Sequence, residues 1–222
     1  MQHIVTISSI RALTHDVLKI VTEKPANYSF APGQATMVSI HKIGWIGEER
    51  PFTFTCLPGE DYLEFIIKTY IEHEGVTNEL RDLTVGDELI VHDVFGAIKY
   101  EGEGVFIAGG AGVTPFIAIL RQLESNHAIG NNKLLFANKT QDDIILEEEL
   151  KKILHNNCIN VLSDEAVKGY EHGQITEACL KHFCNQPHQY FYLCGPPPMI
   201  DAIEKYLLHL QVDEKYIVKE KF

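Results

Sequence analysis

The spacing of apolar residues changes near residue 100, and this change constrains the fold more than any other feature. Before it, short segments of alternating or β-branched residues are separated by turn residues. The predicted strands are 4–10, 17–21, 35–40, 52–56, 62–70 and 88–94, with one short helix at 77–83. Closing such strands into an antiparallel barrel removes exposed edges. The first half therefore predicts a small antiparallel β-barrel.

From Gly104 onward, short apolar strands alternate with helical patterns, which is typical of a doubly wound parallel sheet. The predicted strands are 105–108, 134–137, 160–162, 190–193 and 216–218. The predicted helices are 115–123, 146–154, 176–182 and 199–210. A polar, glycine-containing segment at 97–103 separates the two patterns, so we predict two domains, 1–100 and 101–222.

The net charge of −12 argues against a nucleic-acid partner, because phosphate binding needs clustered Lys and Arg. It also opposes docking of an acidic protein such as a ferredoxin, although a local basic patch would still permit it. No segment approaches the roughly 20 apolar residues that span a bilayer. The N-terminus lacks the pattern of a signal peptide, so we expect a soluble, cytoplasmic protein.

The five cysteines are irregularly spaced, and none forms a C-x-x-C pair or a zinc-like Cys/His set. The C-x4-C-x2-C run of a plant-type iron–sulfur cluster is absent as well. We therefore expect free thiols and no bound metal. The scattered histidines are interpreted as surface or packing residues.

The segment Gly110–Pro115 lies between a predicted strand and a predicted helix. Two glycines permit a tight turn and close approach of a pyrophosphate, with Thr114 as the expected N-cap and Pro115 as the first helical residue. Pro115 stands where a full G-x-G-x-x-G pattern has its third glycine. Tight packing of the strand on the helix would also favour glycine, so both interpretations stay open.

A second candidate segment, Arg50-Pro51-Phe52-Thr53, opens a predicted strand. Alternation places Arg50 and Phe52 on one face, where a cation and an aromatic plane suit a flat ring joined to a phosphate. Thr53 would bind a polar atom of the ring. A barrel strand with an exposed Arg and a buried aromatic is the equally simple alternative.

Two further turns lie at the start of predicted helices. A helix that begins near Thr77, after Gly75, offers free amides to a pyrophosphate, but an ordinary capped helix needs no ligand. Cys194 ends a predicted strand and is followed by Gly195 and three prolines. A thiol at that edge of a doubly wound sheet lies where such sheets bind ligands, and packing alone hardly explains the Gly and Pro residues.

Taken in order, these segments resemble the ferredoxin–NADP reductase family over essentially the whole chain. Its pattern is an Arg-x-aromatic-Ser/Thr strand, a Gly-plus-Ser/Thr helix start, a Gly-x-Gly-x-x-Pro turn, a Cys-Gly-Pro-x-x-Met turn and an acidic-plus-aromatic C-terminus. Here these are Arg50–Thr53, Gly75–Thr77, Gly110–Pro115, Cys194–Met199 and Glu220–Phe222.

The resemblance implies an FAD-binding barrel, an NAD(P)-binding domain and a flavin between them. It assigns to FAD the residues Arg50, Pro51, Phe52, Thr53, Lys68, Tyr70, Gly75, Val76 and Thr77. It assigns to the nicotinamide nucleotide Gly110, Gly112, Val113, Thr114, Pro115, Asn138, Lys139, Cys194, Gly195, Pro196 and Met199. It places Phe222 and Glu220 near the flavin, and gives catalytic roles to Cys194, Thr53 and Glu220, with Cys194 positioning the nicotinamide and Glu220 carrying a proton.

Some residues depart from the family pattern. Phe52 replaces the usual Tyr, which removes a hydroxyl contact, and Asp93-Val94-Phe95-Gly96 replaces a usual Gly-Pro-x-Gly. Asp164 stands where NADPH-specific members often carry Arg and would repel a 2′-phosphate, whereas Lys139 would attract one. The balance favours NADH over NADPH.

The resemblance implies an enzyme that transfers hydride from NAD(P)H to FAD and then passes electrons to flavodoxin, ferredoxin or an oxygenase component. A reductase of free flavins or ferric chelates is the alternative within enzymes. From another class, a non-catalytic nucleotide-binding interaction module would keep the same fold.

Overall fold

The structure is a computed structural model that describes residues 2–184 and 188–220. Six antiparallel strands form the first domain: β1 (His3–Ala12), β2 (Val17–Glu23), β3 (Ala35–Ile40), β4 (Arg50–Thr53), β5 (Tyr62–Lys68) and β6 (Glu88–Phe95). Their order in the sheet is β4-β3-β6-β1-β2-β5. A bridge between Phe54 and Phe65 joins the two edges, so the sheet curls into a nearly closed barrel. The predicted barrel is confirmed.

The second domain is a parallel sheet: β7 (Gly104–Gly109), β8 (Lys133–Asn138), β9 (Cys158–Leu162), β10 (Glu171–His172), β11 (Tyr190–Cys194) and β12 (Ile217–Lys219). The strand order is β10-β9-β8-β7-β11-β12. The helices of the chain are α1 (Val76–Glu79), α2 (Thr114–Ser125), α3 (Glu147–Leu154), α4 (Glu177–Lys181) and α5 (Pro197–His209). Only α1 belongs to the barrel half, and the predicted doubly wound sheet is confirmed.

Helix α2 joins the two domains. Its apolar side chains are buried on nearly all sides, because one face covers the parallel sheet and another meets the barrel. Val17 and Ile66 of the barrel belong to the same apolar cluster as Phe116 and Leu120 of α2. Burial of this shared cluster fixes the barrel against the helix.

The connection between β6 and β7 is held by a hydrogen-bonded tyrosine. The hydroxyl of Tyr192, which is buried on β11, accepts hydrogen bonds from the main-chain N–H groups of Glu101 and Gly102 at 2.9 and 3.0 Å. The same hydroxyl donates to the Gly102 carbonyl oxygen at 2.7 Å. The connection is therefore tied to the sheet that follows it.

The structure differs from the predictions in three local places. The strand expected over 52–56 is β4, which begins at Arg50 and ends at Thr53, because Phe54 turns to bridge β5. The helix expected at 77–83 is one short α-helical turn followed by a 3-10 turn, Leu80–Asp82. The two-residue strand β10 has too few residues for a periodicity and was not predicted. No helix of the described residues is long and apolar enough to span a membrane.

Candidate functional site

A cleft of about 840 Å³ opens at the carboxyl ends of β7, β8, β9 and β11. The strand order reverses between β8 and β11 on either side of β7, which is where doubly wound sheets bind ligands. The barrel forms part of the wall. The predicted cofactor residues that line the cleft are Lys68, Tyr70, Gly110, Gly112, Asn138, Lys139, Cys194, Gly195, Pro196 and Met199.

The turn after β7 begins as a 3-10 turn, Gly110–Val113, and continues directly into α2. The prediction that Thr114 caps the helix is therefore wrong: Val113 is the N-cap, and the Thr114 hydroxyl donates to the Ala111 carbonyl oxygen at 3.0 Å. Pro115 lies in the first helical turn, but not at its first residue. The side chains of Val113, Thr114 and Pro115 are buried, so this part of the turn can meet a ligand through its main chain.

Glycine occupies positions 110 and 112 of this turn for different physical reasons. A Cβ on Gly112 would lie 2.3 Å from the Cys194 carbonyl oxygen, so glycine is required there by packing against the next turn. Gly110 has φ +51°, and a Cβ on it would meet nothing within 4 Å. Packing therefore explains Gly112, whereas Gly110 leaves open space beside the cleft, as a bound pyrophosphate needs.

The thiol of Cys194 lies at the carboxyl end of β11 and lines the cleft. Burial raises its pKa to about 12, and the carboxylate of Glu220 adds to the increase. The thiol is therefore neutral near pH 7, which suits a group that positions a ligand better than it suits a nucleophile.

Glu220 connects the end of the chain to the barrel. Its carboxylate accepts hydrogen bonds from the main-chain N–H of Ala97 at 3.1 and 3.2 Å and from that of Ile98 at 3.5 Å. These bonds tie Glu220 to the segment that follows β6. Phe222, predicted beside it, lies outside the described residues.

The strand β4 places its predicted residues at the edge of the barrel. Arg50 pairs with Val38 and Phe52 with Thr36, so both side chains lie on the same face of the sheet. Phe52 packs on the barrel core, while the Arg50 side chain is 47% exposed and donates to the Glu49 carbonyl oxygen at 2.7 Å. Alternation turns the side chain of Thr53, and the exposed Pro51, to the other side.

The predicted segment Gly75–Thr77 forms the start of α1. Val76 is buried in the barrel core. Gly75 has φ −150°, and a Cβ there would meet nothing within 4 Å. Packing does not require glycine at this position, which is the N-cap of α1, and the space beside it is open.

Charged residues of both domains meet beside the cleft. The Lys68 ammonium lies 2.7 Å from the Asp16 carboxylate, and His15 lies 3.8 Å from Asp143 of the other domain. The side-chain atoms of His15, Asp16 and Asp143 lie within 4.8 Å of one another, and the His15 side chain is mostly exposed. Burial would raise the pKa of Asp143, but hydrogen bonds from Thr140 and the nearby cations lower it.

Comparisons with known proteins agree with this two-domain architecture. A family model of an FAD-binding domain matches residues 2–103, and a model of an oxidoreductase NAD-binding domain matches residues 106–205. NADH–cytochrome b5 reductase 1 of Arabidopsis thaliana is 31% identical over 212 residues, covering 86% of this chain and 74% of that protein. The chain belongs to the ferredoxin–NADP reductase family. Its cofactors are FAD and a nicotinamide nucleotide.

The reductase component of propane 2-monooxygenase from Mycolicibacterium smegmatis is also similar, at 27% identity over 220 residues and 90% of this chain. The chain spans 62% of that relative and 63% of NADH–cytochrome b5 reductase 2 from Mycosarcoma maydis. Among solved structures, a ferredoxin NADP+ reductase from Neisseria gonorrhoeae with bound FAD and NADP has a TM-score of 0.88 at 19% identity. The match covers 99% of this chain and 98% of that one, and shows the shared fold.

The residues present in this family member fit both cofactors. For FAD, the half-exposed Arg50 offers a cation and Gly75 leaves room at a helix start. For the nucleotide, Gly110 leaves room in the cleft, and both polar side-chain atoms of Asn138 are buried there without a hydrogen-bond partner among the described residues. These are the features expected where a ligand completes the site.

Several cleft residues were not predicted, among them Asp143, Ala202, Ile203 and Tyr206. Ser163, Gln174 and Ile175 also line the cleft, at the positions where the family resemblance places the residues that distinguish NADH from NADPH. Ile203 and Tyr206 follow Met199 on α5 at spacings of four and three, which mark one face of a helix. Asp143 belongs to a 3-10 turn after β8, and no sequence pattern indicates that this turn borders the cleft.

Proposed function

We propose that this chain oxidises NADH with its bound FAD and passes the electrons one at a time to a partner redox protein. The observation that carries the proposal is the shared cleft. The nucleotide turn, Asn138 and Cys194 line one side, and Lys68 and Tyr70 of the barrel line another. A ligand in this cleft contacts both domains at once.

The bound nicotinamide supplies a hydride, and the flavin supplies an acceptor that can release electrons singly. The residues of the chain supply the geometry. Gly110 and the following main-chain N–H groups hold the pyrophosphate of the nucleotide, and the neutral Cys194 thiol positions the nicotinamide. Glu220, held by Ala97 and Ile98, carries a proton beside the same site.

The coenzyme is proposed to be NADH rather than NADPH. Asp164 follows Ser163 of the cleft and accepts a hydrogen bond from its hydroxyl at 2.6 Å, so a carboxylate stands at this edge. Among the described residues, Lys68 and Lys139 are the only Lys or Arg residues that line the cleft. A 2′-phosphate would gain one lysine and meet two carboxylates, those of Asp143 and Asp164.

The acceptor is proposed to be a small one-electron redox protein, either flavodoxin or ferredoxin, or an oxygenase component. The name of the M. smegmatis relative supports an oxygenase component, and the b5 reductase relatives add cytochrome b5 as a further candidate. Among these candidates, the net charge of −12 favours a partner whose docking face is basic or neutral over an acidic one such as ferredoxin.

The proposal is tested by an anaerobic titration of the purified protein, followed in the flavin absorption band. Rapid bleaching by NADH and slow bleaching by NADPH is the expected result. Ferredoxin, flavodoxin and cytochrome b5 are then each added to the reduced protein, and reoxidation is followed. A colourless protein that neither binds added FAD nor oxidises either nucleotide would exclude the proposal and favour a non-catalytic binding module.

Retention of the flavin separates the two enzyme alternatives. A reductase that passes electrons to proteins keeps FAD through gel filtration, whereas a free-flavin reductase loses it and reduces added riboflavin. We expect one FAD to elute with each chain.

A further inference from the structure

The side chain of Asn138 is the most unusual polar group in the cleft. The residue is 8% exposed and ends β8, where its main-chain carbonyl oxygen accepts a hydrogen bond from Ser163 N at 3.0 Å. The residue lines the cleft, and its two polar side-chain atoms are almost fully covered by protein. Neither the Nδ2 nor the Oδ1 atom has a hydrogen-bond partner among the residues that the structure describes.

An unpartnered carboxamide at a buried position destabilises the protein unless a ligand supplies its hydrogen-bond partners. A buried polar atom without a partner forfeits the hydrogen bonds that it made to water in the unfolded chain. Asn138 carries two such atoms on one side chain, and the residue lines a cleft that suits a ligand. The ligand is therefore expected to provide their partners.

The chemistry of the carboxamide narrows the choice of ligand group. Nδ2 donates hydrogen bonds and Oδ1 accepts them, so the partner must offer an acceptor and a donor. A phosphate at neutral pH offers mainly acceptors and would leave Oδ1 unsatisfied. A ribose hydroxyl offers both functions in one group.

The strand order decides which half of the nucleotide lies here. β8 and β9 are on one side of β7, and β11 with Cys194 is on the other. A dinucleotide with its pyrophosphate over the turn at Gly110 extends its halves in opposite directions. With the nicotinamide beside Cys194, the adenosine half lies over β8 and β9.

Distance then favours the ribose over the adenine base. Gly109 pairs with Ala137 in the parallel register, so Asn138 is level with Gly110 on the neighbouring strand. Neighbouring strands lie about 4.8 Å apart, a separation that a ribose spans directly from its phosphate. The base is one group further away.

We propose that the Asn138 carboxamide binds a ribose hydroxyl of the adenosine half of the nicotinamide nucleotide. This inference rests on the proposed function, since it assigns one contact within the same site. It makes Asn138 a binding residue that selects for ribose over deoxyribose.

Calorimetric binding of ADP, 2′-deoxy-ADP, 3′-deoxy-ADP and nicotinamide mononucleotide to the FAD-loaded protein tests the proposal. Wild-type protein should bind one of the two deoxy ligands about tenfold more weakly than ADP, which corresponds to one lost hydrogen bond. Asn138→Ala should bind ADP about tenfold more weakly, bind that same deoxy ligand no worse than ADP, and keep its affinity for the mononucleotide.

A matched control is available in the next strand. Asn160 is 5% exposed and also has an unpartnered Oδ1 atom, but it lies outside the cleft and donates to Glu147 Oε1 at 3.0 Å. Asn160→Ala should leave ADP binding unchanged. If Asn138→Ala does not fold, Asn138→Ser, which is smaller and polar, takes its place.

Three results would overturn the assignment. These are unchanged ADP affinity in the variant, continued sensitivity of the variant to the loss of that hydroxyl, and equal loss of affinity for the mononucleotide. The second of these results would place the contact on the base. If the wild-type protein binds neither ADP nor NADH, the proposed function itself is refuted, and not only the contact of Asn138.

Discussion

Arg121 on α2 and Glu64 on β5 form an ion pair across the two domains, with 2.6 Å between Nη1 and Oε1. The Glu64 side chain is 3% exposed, and its carboxylate also contacts Lys19 and the Thr55 hydroxyl. Arg121 in turn makes two hydrogen bonds to Glu149, at 2.5 and 2.9 Å. The barrel and the parallel sheet are therefore linked by a buried charge network as well as by apolar contacts.

Removing the carboxylate of this network should destabilise the protein strongly. Glu64→Gln leaves the partly buried Lys19 without its counter-charge and Arg121 with Glu149 alone, and breaking a buried pair costs roughly 3–5 kcal/mol. We expect the free energy of unfolding in urea to fall by about 3 kcal/mol. The control is Glu177→Gln in the exposed pair with His209, where about 0.5 kcal/mol or less is expected. Equal effects of the two substitutions would contradict this prediction.

The same pair predicts a pH dependence of stability. Burial would raise the pKa of Glu64, but Arg121 and Lys19 outweigh burial and hold it below its ordinary 4.5. A carboxyl group whose folded pKa is lowered stabilises the fold above the unfolded pKa and loses that contribution as pH falls through the folded value. The difference in unfolding free energy between wild type and Glu64→Gln should therefore be constant from pH 7 to 6 and shrink below about pH 4.5. A constant difference down to pH 3 would refute the linkage.

Much of the fold follows from local patterns in the sequence. Period-two alternation and short turns predict the barrel strands, because the strands have one buried face, and the strand–helix alternation after Gly104 predicts the parallel sheet. The ion pair of Arg121 and Glu64 could not be predicted in this way. In the sequence, Glu64 is a polar residue within a strand, and only the packing of α2 on the barrel shows that it is buried.

In the candidate site, too, the features set by local patterns were predicted and those set by tertiary contacts were not. The predicted turn at Gly110 and the predicted Cys194 are in contact, because strand ends of a parallel sheet meet at one edge. The error at Thr114 has a local cause: Val113 and Thr114 already have helical backbone angles, and the Thr114 hydroxyl donates to the Ala111 carbonyl oxygen instead of capping the helix. Asp143 reaches the cleft through tertiary contacts alone.

Gly75 should matter for flavin binding and little for folding. An added methyl group meets no protein atom within 4 Å, so Gly75→Ala should cost only the poorer N-cap preference of alanine, about 1 kcal/mol of the unfolding free energy of the flavin-free protein. If FAD approaches this helix start, the methyl group should weaken FAD binding about tenfold. Fluorescence titration with FAD measures this change in affinity. Gly59→Ala, which also meets nothing within 4 Å, is the matched control and should bind FAD normally.

Gly112 and Gly110 should respond in opposite ways to the same substitution. Gly112→Ala places a methyl group against the Cys194 carbonyl, and such overpacking costs about 1–3 kcal/mol of stability. Gly110→Ala meets no atom and costs only the strain of its positive φ, about 1 kcal/mol, but should weaken NADH binding about tenfold. Thermal unfolding and NADH titration separate the two effects. A Gly110→Ala variant with unchanged NADH affinity would show that the nucleotide does not approach this turn.

Cys194 should act without ionising. With a pKa of about 12, about one thiol in ten thousand is a thiolate at pH 8, so iodoacetamide should label Cys194 very slowly at that pH. Cys194→Ser should slow bleaching of the flavin by NADH through loss of nicotinamide positioning. The rate–pH profiles of both proteins should nevertheless have the same shape between pH 6 and 9. Stopped-flow measurements across this range test the prediction. A rate that changes with pH between pH 6 and 9 in the wild type but not in Cys194→Ser would show that the thiolate takes part in the reaction.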